Sequence, residues 1–151
     1  MIDRIVDDFT SPATGGKTFH LKDYAGKTVI LYFYPKDSTP GCTTEAMQFR
    51  DLHADFVRAG CVIAGVSRDG LRSHENFKAK QELPFDLLSD TEEKLCTQFA
   101  VIKDKKLYGK PVRGIERSTF VIDGNGVLRR EWRGVKAQGH AQEVLDFVKT
   151  L

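Results

Sequence analysis

The stretch Thr28-Val-Ile-Leu-Tyr-Phe-Tyr34 is an unbroken run of β-branched and aromatic residues, stopped at once by Pro35. A strand with one wet face alternates apolar and polar residues. A run without alternation is buried on both faces, as at the centre of a sheet covered on either side by helices. Cys61-Val-Ile-Ala-Gly-Val66 has the same character. Between the two, Thr43 to Ala59 reads as one helix, because Ala46, Phe49, Leu52 and Phe56 recur at spacings of three and four and make a single apolar stripe. Gly60 ends it, as glycine does at a helix C-terminus. Strand, helix, strand in this order is a βαβ unit, so the two strands are expected to be parallel.

The rest of the chain is read around that unit. A helix is expected from Ser73 to Lys80, and after Pro84 a short strand from Phe85 to Leu88. Asp90-Thr-Glu-Glu93 has the form of a capping box for a helix that carries Leu95 and Phe99 inward. Residues 103–114 are polar and read as a loop. Ser118 to Ile122 and Val127 to Trp132 read as strands joined at Asp123-Gly-Asn-Gly126, a hairpin turn. A last helix, about Ala141 to Leu151, buries Val144, Leu145 and Val148, and a small hairpin is expected near Gly15-Gly16. The sum is one α/β domain over residues 1–151, with a mixed sheet of about five core strands, helices on both faces and an N-terminal β-hairpin.

Composition narrows the function classes. With 151 residues, 40% of them hydrophobic, the chain can bury a core without staples. A formal net charge of +2, with charges scattered and no long basic run, does not point to nucleic acid or to a membrane as partner. The first residues hold no apolar stretch of signal-peptide length and the apolar run Val29–Tyr34 is too short to span a bilayer, so a cytoplasmic protein is expected. The three cysteines, at 42, 61 and 96, are odd in number and widely spaced, which argues against a disulfide framework. Histidines 20, 53, 74 and 140 are scattered and none lies beside a cysteine, so no metal site is expected.

One cysteine stands apart. Cys42 follows a buried strand, Pro35, a polar turn and Pro40-Gly41, and falls in the first turn of the next helix. That places it at the C-terminal edge of a central strand, where α/β sheets carry their sites. Free N–H groups and a partial positive charge at a helix start favour thiolate over thiol. Turning an ordinary thiol, of pKa about 8.5, mostly into thiolate at neutral pH takes roughly 3 kcal/mol, of which a helix end supplies about 1. A second cation is therefore expected, and Arg117, at the start of the strand Ser118 to Ile122, is the candidate. Thr39, three residues before Cys42, is placed for its hydroxyl to reach the sulfur or an oxygen bound to it, and Pro35 to pack over the site and limit water. Glu45, one turn on, is placed either to orient Arg117 or to cap the helix. Donors around a thiolate suit attack on a peroxide O–O bond, because they stabilise the alkoxide or hydroxide that departs.

Phe33-Tyr-Pro-Lys-Asp-Ser-Thr-Pro-Gly-Cys-Thr-Thr-Glu45, followed by Phe49-Arg-Asp51, resembles the peroxiredoxin active-site segment, in the form found in the peroxiredoxin Q or bacterioferritin comigratory protein branch. The resemblance continues through Gly65-Val-Ser-Arg-Asp69, Leu87-Leu-Ser-Asp90, Tyr108-Gly-Lys110 and Glu116-Arg-Ser-Thr-Phe-Val-Ile-Asp123, and covers nearly the whole chain. It implies a thioredoxin-like fold, reduction of hydrogen peroxide and organic hydroperoxides in antioxidant defence and redox homeostasis, and no metal, haem or flavin. It makes Cys42 the peroxidatic nucleophile, with Pro35, Thr39 and Arg117 completing the pocket, and implies a thiol reductant such as glutaredoxin with glutathione, or thioredoxin. Members of the branch are often monomers.

The chain departs from that pattern where many relatives carry a resolving cysteine. Five residues after Cys42 stands Met47, and the helix segment that reads Asn-Phe-Cys-Ala-Lys in others reads Asn76-Phe-Lys-Ala-Lys80 here. Cys61 begins a buried strand and Cys96 sits between core positions, so both are expected to pack as small apolar residues. The expected mechanism uses one cysteine and an external thiol, with resolution by Cys61 or Cys96 as the alternative. Two other readings compete. A thioredoxin-like disulfide reductase would need Cys-x-x-Cys, whereas Thr43-Thr-Glu45 follows Cys42. A redox-responsive holdase or interaction module would show itself by exposed apolar patches, which a sequence does not display.

Overall fold

The computed structural model describes residues 2–151, with Leu107 described by its backbone alone. Its elements, in chain order, are β1 (Thr10–Ala13), β2 (Lys17–His20), β3 (Thr28–Phe33), α1 (Pro40–Asp51), α2 (His53–Arg58), β4 (Cys61–Ser67), α3 (Leu71–Gln81), β5 (Asp86–Ser89), α4 (Lys94–Gln98), β6 (Ile102–Leu107), β7 (Lys110–Ile115), β8 (Ser118–Ile122), β9 (Leu128–Arg133) and α5 (His140–Val148). β3 and β4 are parallel neighbours, with Thr28 opposite Cys61 and Phe33 opposite Val66. The unbroken apolar run follows from the pleat. Val29, Leu31 and Phe33 enter the core on one face of the sheet, and Ile30, Tyr32 and Tyr34 enter a second core on the other.

The main sheet has seven strands in the order β2-β1-β5-β4-β3-β8-β9. Five of these are the expected core. The N-terminal hairpin β1–β2, turned through Gly15 and Gly16, adds two more by pairing Ala13 with Leu88 of β5. β3 meets β8 antiparallel, and β8 meets β9 antiparallel across the Asp123–Gly126 turn. There the Asp123 carboxylate accepts the N–H of Asn125 and of Val127, at 2.9 and 3.0 Å. No helix among the described residues is long and apolar enough to cross a membrane.

Three expectations are corrected. The helix expected from Thr43 to Ala59 begins at Pro40, because proline in a first turn forfeits no helical bond, and it divides at Leu52 (ψ 3°) into α1 and α2. Ala46, Phe49 and Phe56 still face one core. The capping box at residues 90–93 does not close. Glu93 adopts φ 60° and gives its carboxylate to Arg68 and Arg113, while Asp90 reaches forward to the N–H groups of Leu95 (3.0 Å) and Cys96 (2.8 Å). The polar loop expected over 103–114 is the β6–β7 hairpin, paired from Ile102 opposite Ile115 to Leu107 opposite Lys110. Its turn residues Tyr108 and Gly109 both have positive φ (53° and 77°), the geometry of a tight type I′ hairpin turn. Tyrosine is not the usual residue there, and the strands bury almost nothing, so neither pattern nor turn announced them.

Candidate active site

β3 delivers the chain to its C-terminal edge, where Tyr34 still donates its N–H to the Val66 carbonyl at 3.0 Å. Residues 35–39 then turn toward α1, and Asp37 anchors the turn. Its N–H donates to Asp69 Oδ2 (2.9 Å), and its buried carboxylate accepts from Tyr34 Oη (2.6 Å), Ser73 Oγ (2.8 Å) and His74 Nδ1 (2.7 Å). Burial pushes the Asp37 carboxyl up, but the hydrogen bonds from His74 and Tyr34 outweigh it and hold the group below the usual carboxylate range. His74 is fully buried and its Nε2 donates to the Leu88 carbonyl at 2.8 Å, so both ring nitrogens face acceptors and α3, β5 and the loop are bound together. Asp37, Asp69 and His74 form a group whose ligand-type atoms lie within 4.8 Å of one another. Those atoms are engaged within the protein, Asp69 Oδ2 also accepting from Ser67 Oγ at 2.6 Å, which makes the cluster a hydrogen-bond network of the fold.

Thr39 is the N-cap of α1, extended at φ −83° and ψ 154°, and Cys42 is the third residue of the helix. The Cys42 side chain is buried, 1% exposed. Arg117, just before β8, extends Nη2 to within 3.4 Å of Cys42 Sγ and donates from Nη1 to Glu45 Oε1 at 2.7 Å. This brings Cys42 and Arg117 together across 75 residues of sequence, and gives Glu45 to Arg117 rather than to the helix cap. Glu45 is fully buried, and its Oε2 has no hydrogen-bond partner among the described residues. Burial lifts its carboxyl to about 7 even though the Arg117 guanidinium pulls the other way. Gly41 makes the approach possible: a Cβ there would stand 3.2 Å from Arg117 Nη2. Beneath, the Tyr32 ring stacks on Phe49 at 4.6 Å and fills the space that a side chain at Gly65 would occupy.

The other two expected site residues lie at the rim. The Thr39 hydroxyl donates to the Lys36 carbonyl at 2.8 Å, not to the sulfur, so its oxygen keeps lone pairs free. Pro35 is exposed directly after Tyr34. Sequence reasoning passed over Asp37, His74 and Gly41. The first two are separated by 37 residues and only the fold joins them.

The other cysteines are placed apart from this centre. Cys42 belongs to the core that contains Tyr32 and Phe49; Cys96, fully buried in α4, belongs to the core on the opposite face of the sheet, with Phe33 and Phe120. Cys61 shares the face of Cys42 but starts β4 opposite Thr28, about 20 Å of strand from the edge where Cys42 stands. Burial pushes the Cys61 thiol up to about 11, and burial together with the Asp90 carboxylate pushes the Cys96 thiol up strongly. At the two positions where the resemblance led to the expectation of a resolving cysteine, Met47 is exposed and Lys78 pairs with Asp86 at 3.0 Å, which also meets Lys17 at 2.8 Å. A cleft of about 450 Å³ opens at the opposite end of β3 beside Tyr24, Val29 and Ile122, and Cys42 does not line it.

Residues 2–131 match the AhpC/TSA family. The chain is 54% identical to a Bacillus subtilis protein named peroxiredoxin Bcp, over 90% of this chain and 87% of that one. Among solved structures, it superposes on Xanthomonas campestris peroxiredoxin Q with TM-score 0.90 at 50% identity, covering 94% of this chain and 90% of that one. It superposes equally, at 49% identity and with the same coverage, on the bacterioferritin comigratory protein of that organism, from structures concerned with its alkyl peroxide reduction activity. The mixed thioredoxin-like sheet agrees with these likenesses, and the chain belongs to the AhpC/TSA family as a thiol-dependent peroxidase of the peroxiredoxin Q or Bcp branch, without a cysteine at either usual resolving position.

Proposed function

We propose that Cys42 reduces hydrogen peroxide and alkyl hydroperoxides by a one-cysteine cycle, as a monomer in a reducing cytoplasm, in antioxidant defence and redox homeostasis. The observation that carries the reading is the 3.4 Å approach of Arg117 Nη2 to Cys42 Sγ in the first turn of α1. A cation and a helix start both favour the ionised sulfur. The thiolate attacks the terminal peroxide oxygen, the S–O bond forms as O–O breaks, and the electron pair leaves on the alkoxide or hydroxide, which takes a proton and departs as alcohol or water. Arg117 donates to the peroxide oxygens as charge develops on them. Thr39 keeps its hydroxyl hydrogen on Lys36 and so offers a lone pair to the O–H of the incoming hydroperoxide. Pro35 covers the mouth of the site. Glu45 acts through Arg117 and is a positioning residue.

The product at Cys42 is a sulfenic acid. A thiol from outside displaces water from it to form a mixed disulfide, and a second thiol frees Cys42. Cys96 on the opposite face of the sheet and Cys61 at the far end of the strand support external resolution, since either would require the core to be taken apart. The test is one equivalent of peroxide without reductant, followed by intact mass in the presence of a sulfenic-acid trap. One adduct on Cys42, absent in Cys42→Ser together with all peroxide consumption, is expected. A quantitative Cys42–Cys61 or Cys42–Cys96 disulfide would overturn the one-cysteine cycle, and peroxide turnover by Cys42→Ser would overturn the nucleophile.

A further inference from the structure

Only the root of the β6–β7 hairpin, at Ile102 and Ile115, meets the core, and beyond that root its strands carry a concentration of positive charge. Residues 102–115 contain Lys103, Lys105, Lys106, Lys110 and Arg113 against one acid, Asp104, for a net +4; the whole chain is +2, which leaves the rest at −2. Residues directly opposite in an antiparallel pair share a face. Asp104 and Arg113 are such a pair, and Arg113 turns inward to Glu93, at 2.6 Å, beside Arg68. The other face therefore points outward. It carries Lys103, Lys105 opposite Val112, and Lys110, all exposed. Among the described residues no carboxylate lies within 4.0 Å of any of these three lysines. Like charges side by side on one strand face repel, so the stability of the hairpin does not account for them.

The root of the hairpin is connected to the site. Arg68, which helps to hold it, follows directly on β4 at the sheet edge where Cys42 lies, and β7 ends at Ile115, two residues before Arg117. We infer that the outward lysine face of the β6–β7 hairpin is a docking surface for an acidic face of the protein thiol donor that restores Cys42. The inference rests on the one-cysteine reading above. A protein is favoured over a small thiol because the face runs for about 20 Å of strand and sets Val112 among its lysines, with Tyr108 96% exposed at the tip; aromatic and apolar side chains within a polar rim are a protein-recognition composition. Opposite charge raises the encounter rate and orients the partner. The donor thiolate then attacks the Cys42 sulfur, water leaves, and the second thiol of the donor breaks the mixed disulfide, so that Cys42 returns to thiol as the donor is oxidised to its disulfide.

The experiment separates the two half-reactions. Wild type and the triple variant Lys103→Glu/Lys105→Glu/Lys110→Glu are oxidised with one equivalent of peroxide, and the sulfenic acid is verified by mass. Each is then mixed with a reduced acidic thioredoxin or with dithiothreitol, which is uncharged. At about 20 mM salt the variant is expected to lose roughly tenfold or more in thioredoxin rate, its peroxide and dithiothreitol rates staying within about twofold of wild type. At about 500 mM salt the wild-type thioredoxin rate should fall toward that of the variant. The neutral variant Lys103→Gln/Lys105→Gln/Lys110→Gln should fall between. An equal loss with dithiothreitol, a wild-type rate indifferent to salt, or no reduction of wild type by thioredoxin at any salt would overturn the inference. So would a variant that keeps its thioredoxin rate but loses retention on duplex DNA. An internal Cys42 disulfide in the oxidised wild type would instead remove the one-cysteine reading on which the inference stands.

Discussion

Two buried acid–base pairs flank the turn into α1, and they are finished to different standards. The Asp37 carboxylate accepts three side-chain hydrogen bonds, from Tyr34, Ser73 and His74, and is held below the usual carboxylate range. The Glu45 carboxylate accepts one, from Arg117, leaves its second oxygen without a partner among the described residues, and is lifted to about 7. A satisfied network fixes geometry, whereas an incompletely satisfied one stays responsive to its surroundings. Asp37 and His74 thus hold the loop, and Arg117, shared between Glu45 and the Cys42 sulfur, is left free to answer charge at the sulfur.

That contrast can be broken in order of expected effect. Arg117→Met should slow the peroxide step by about a hundredfold or more, because a donor to the developing charge is removed; stopped-flow fluorescence of the single tryptophan, Trp132, is the measurement. His74→Ala should instead act on stability, costing about 3–5 kcal/mol in urea unfolding because the buried Asp37 is left without its partner. If the two variants exchanged signatures, the division between holding and responding would be wrong.

Glu45→Gln sharpens the comparison through pH. A buried acid with a raised pKa leaves stability untouched below about 4.5, where it is neutral in both folded and unfolded chains. Between that pH and about 7 the unfolded chain gives up its proton first, so the folded state weakens as pH rises, by on the order of 3 kcal/mol in full. Wild type should therefore lose ground to Glu45→Gln between pH 5 and 8 in urea midpoints, and parallel pH profiles would show that Glu45 does not titrate in this range. The smallest effect is expected for Cys61→Ala, which should leave both the peroxide rate and the dependence on external thiol unchanged in coupled turnover, since Cys61 stands at the other end of the strand.

Much of this was legible before folding. The apolar runs of β3 and β4 announced a doubly covered parallel pair, because burial on both faces removes polar alternation, and the Pro-Gly-Cys sequence announced a cysteine at a helix start. The β6–β7 hairpin escaped, since backbone pairing in solvent leaves no hydrophobic period to read. Asp90 and Glu93 had the spacing of a reciprocal cap, but Glu93 found stronger partners in Arg68 and Arg113.

The sequence by itself singled out Cys42 as the candidate nucleophile, placed it at a helix start and left the usual resolving positions without a cysteine, since these are properties of residue type and local order. Only the tertiary structure decided that Glu45 serves Arg117, that Asp37 is locked to His74, and that Cys61 and Cys96 are separated from Cys42 by the length and the thickness of the sheet. The reason is physical: contacts between residues far apart in the chain depend on which face each strand turns to which core, and that choice is made by packing the whole domain at once.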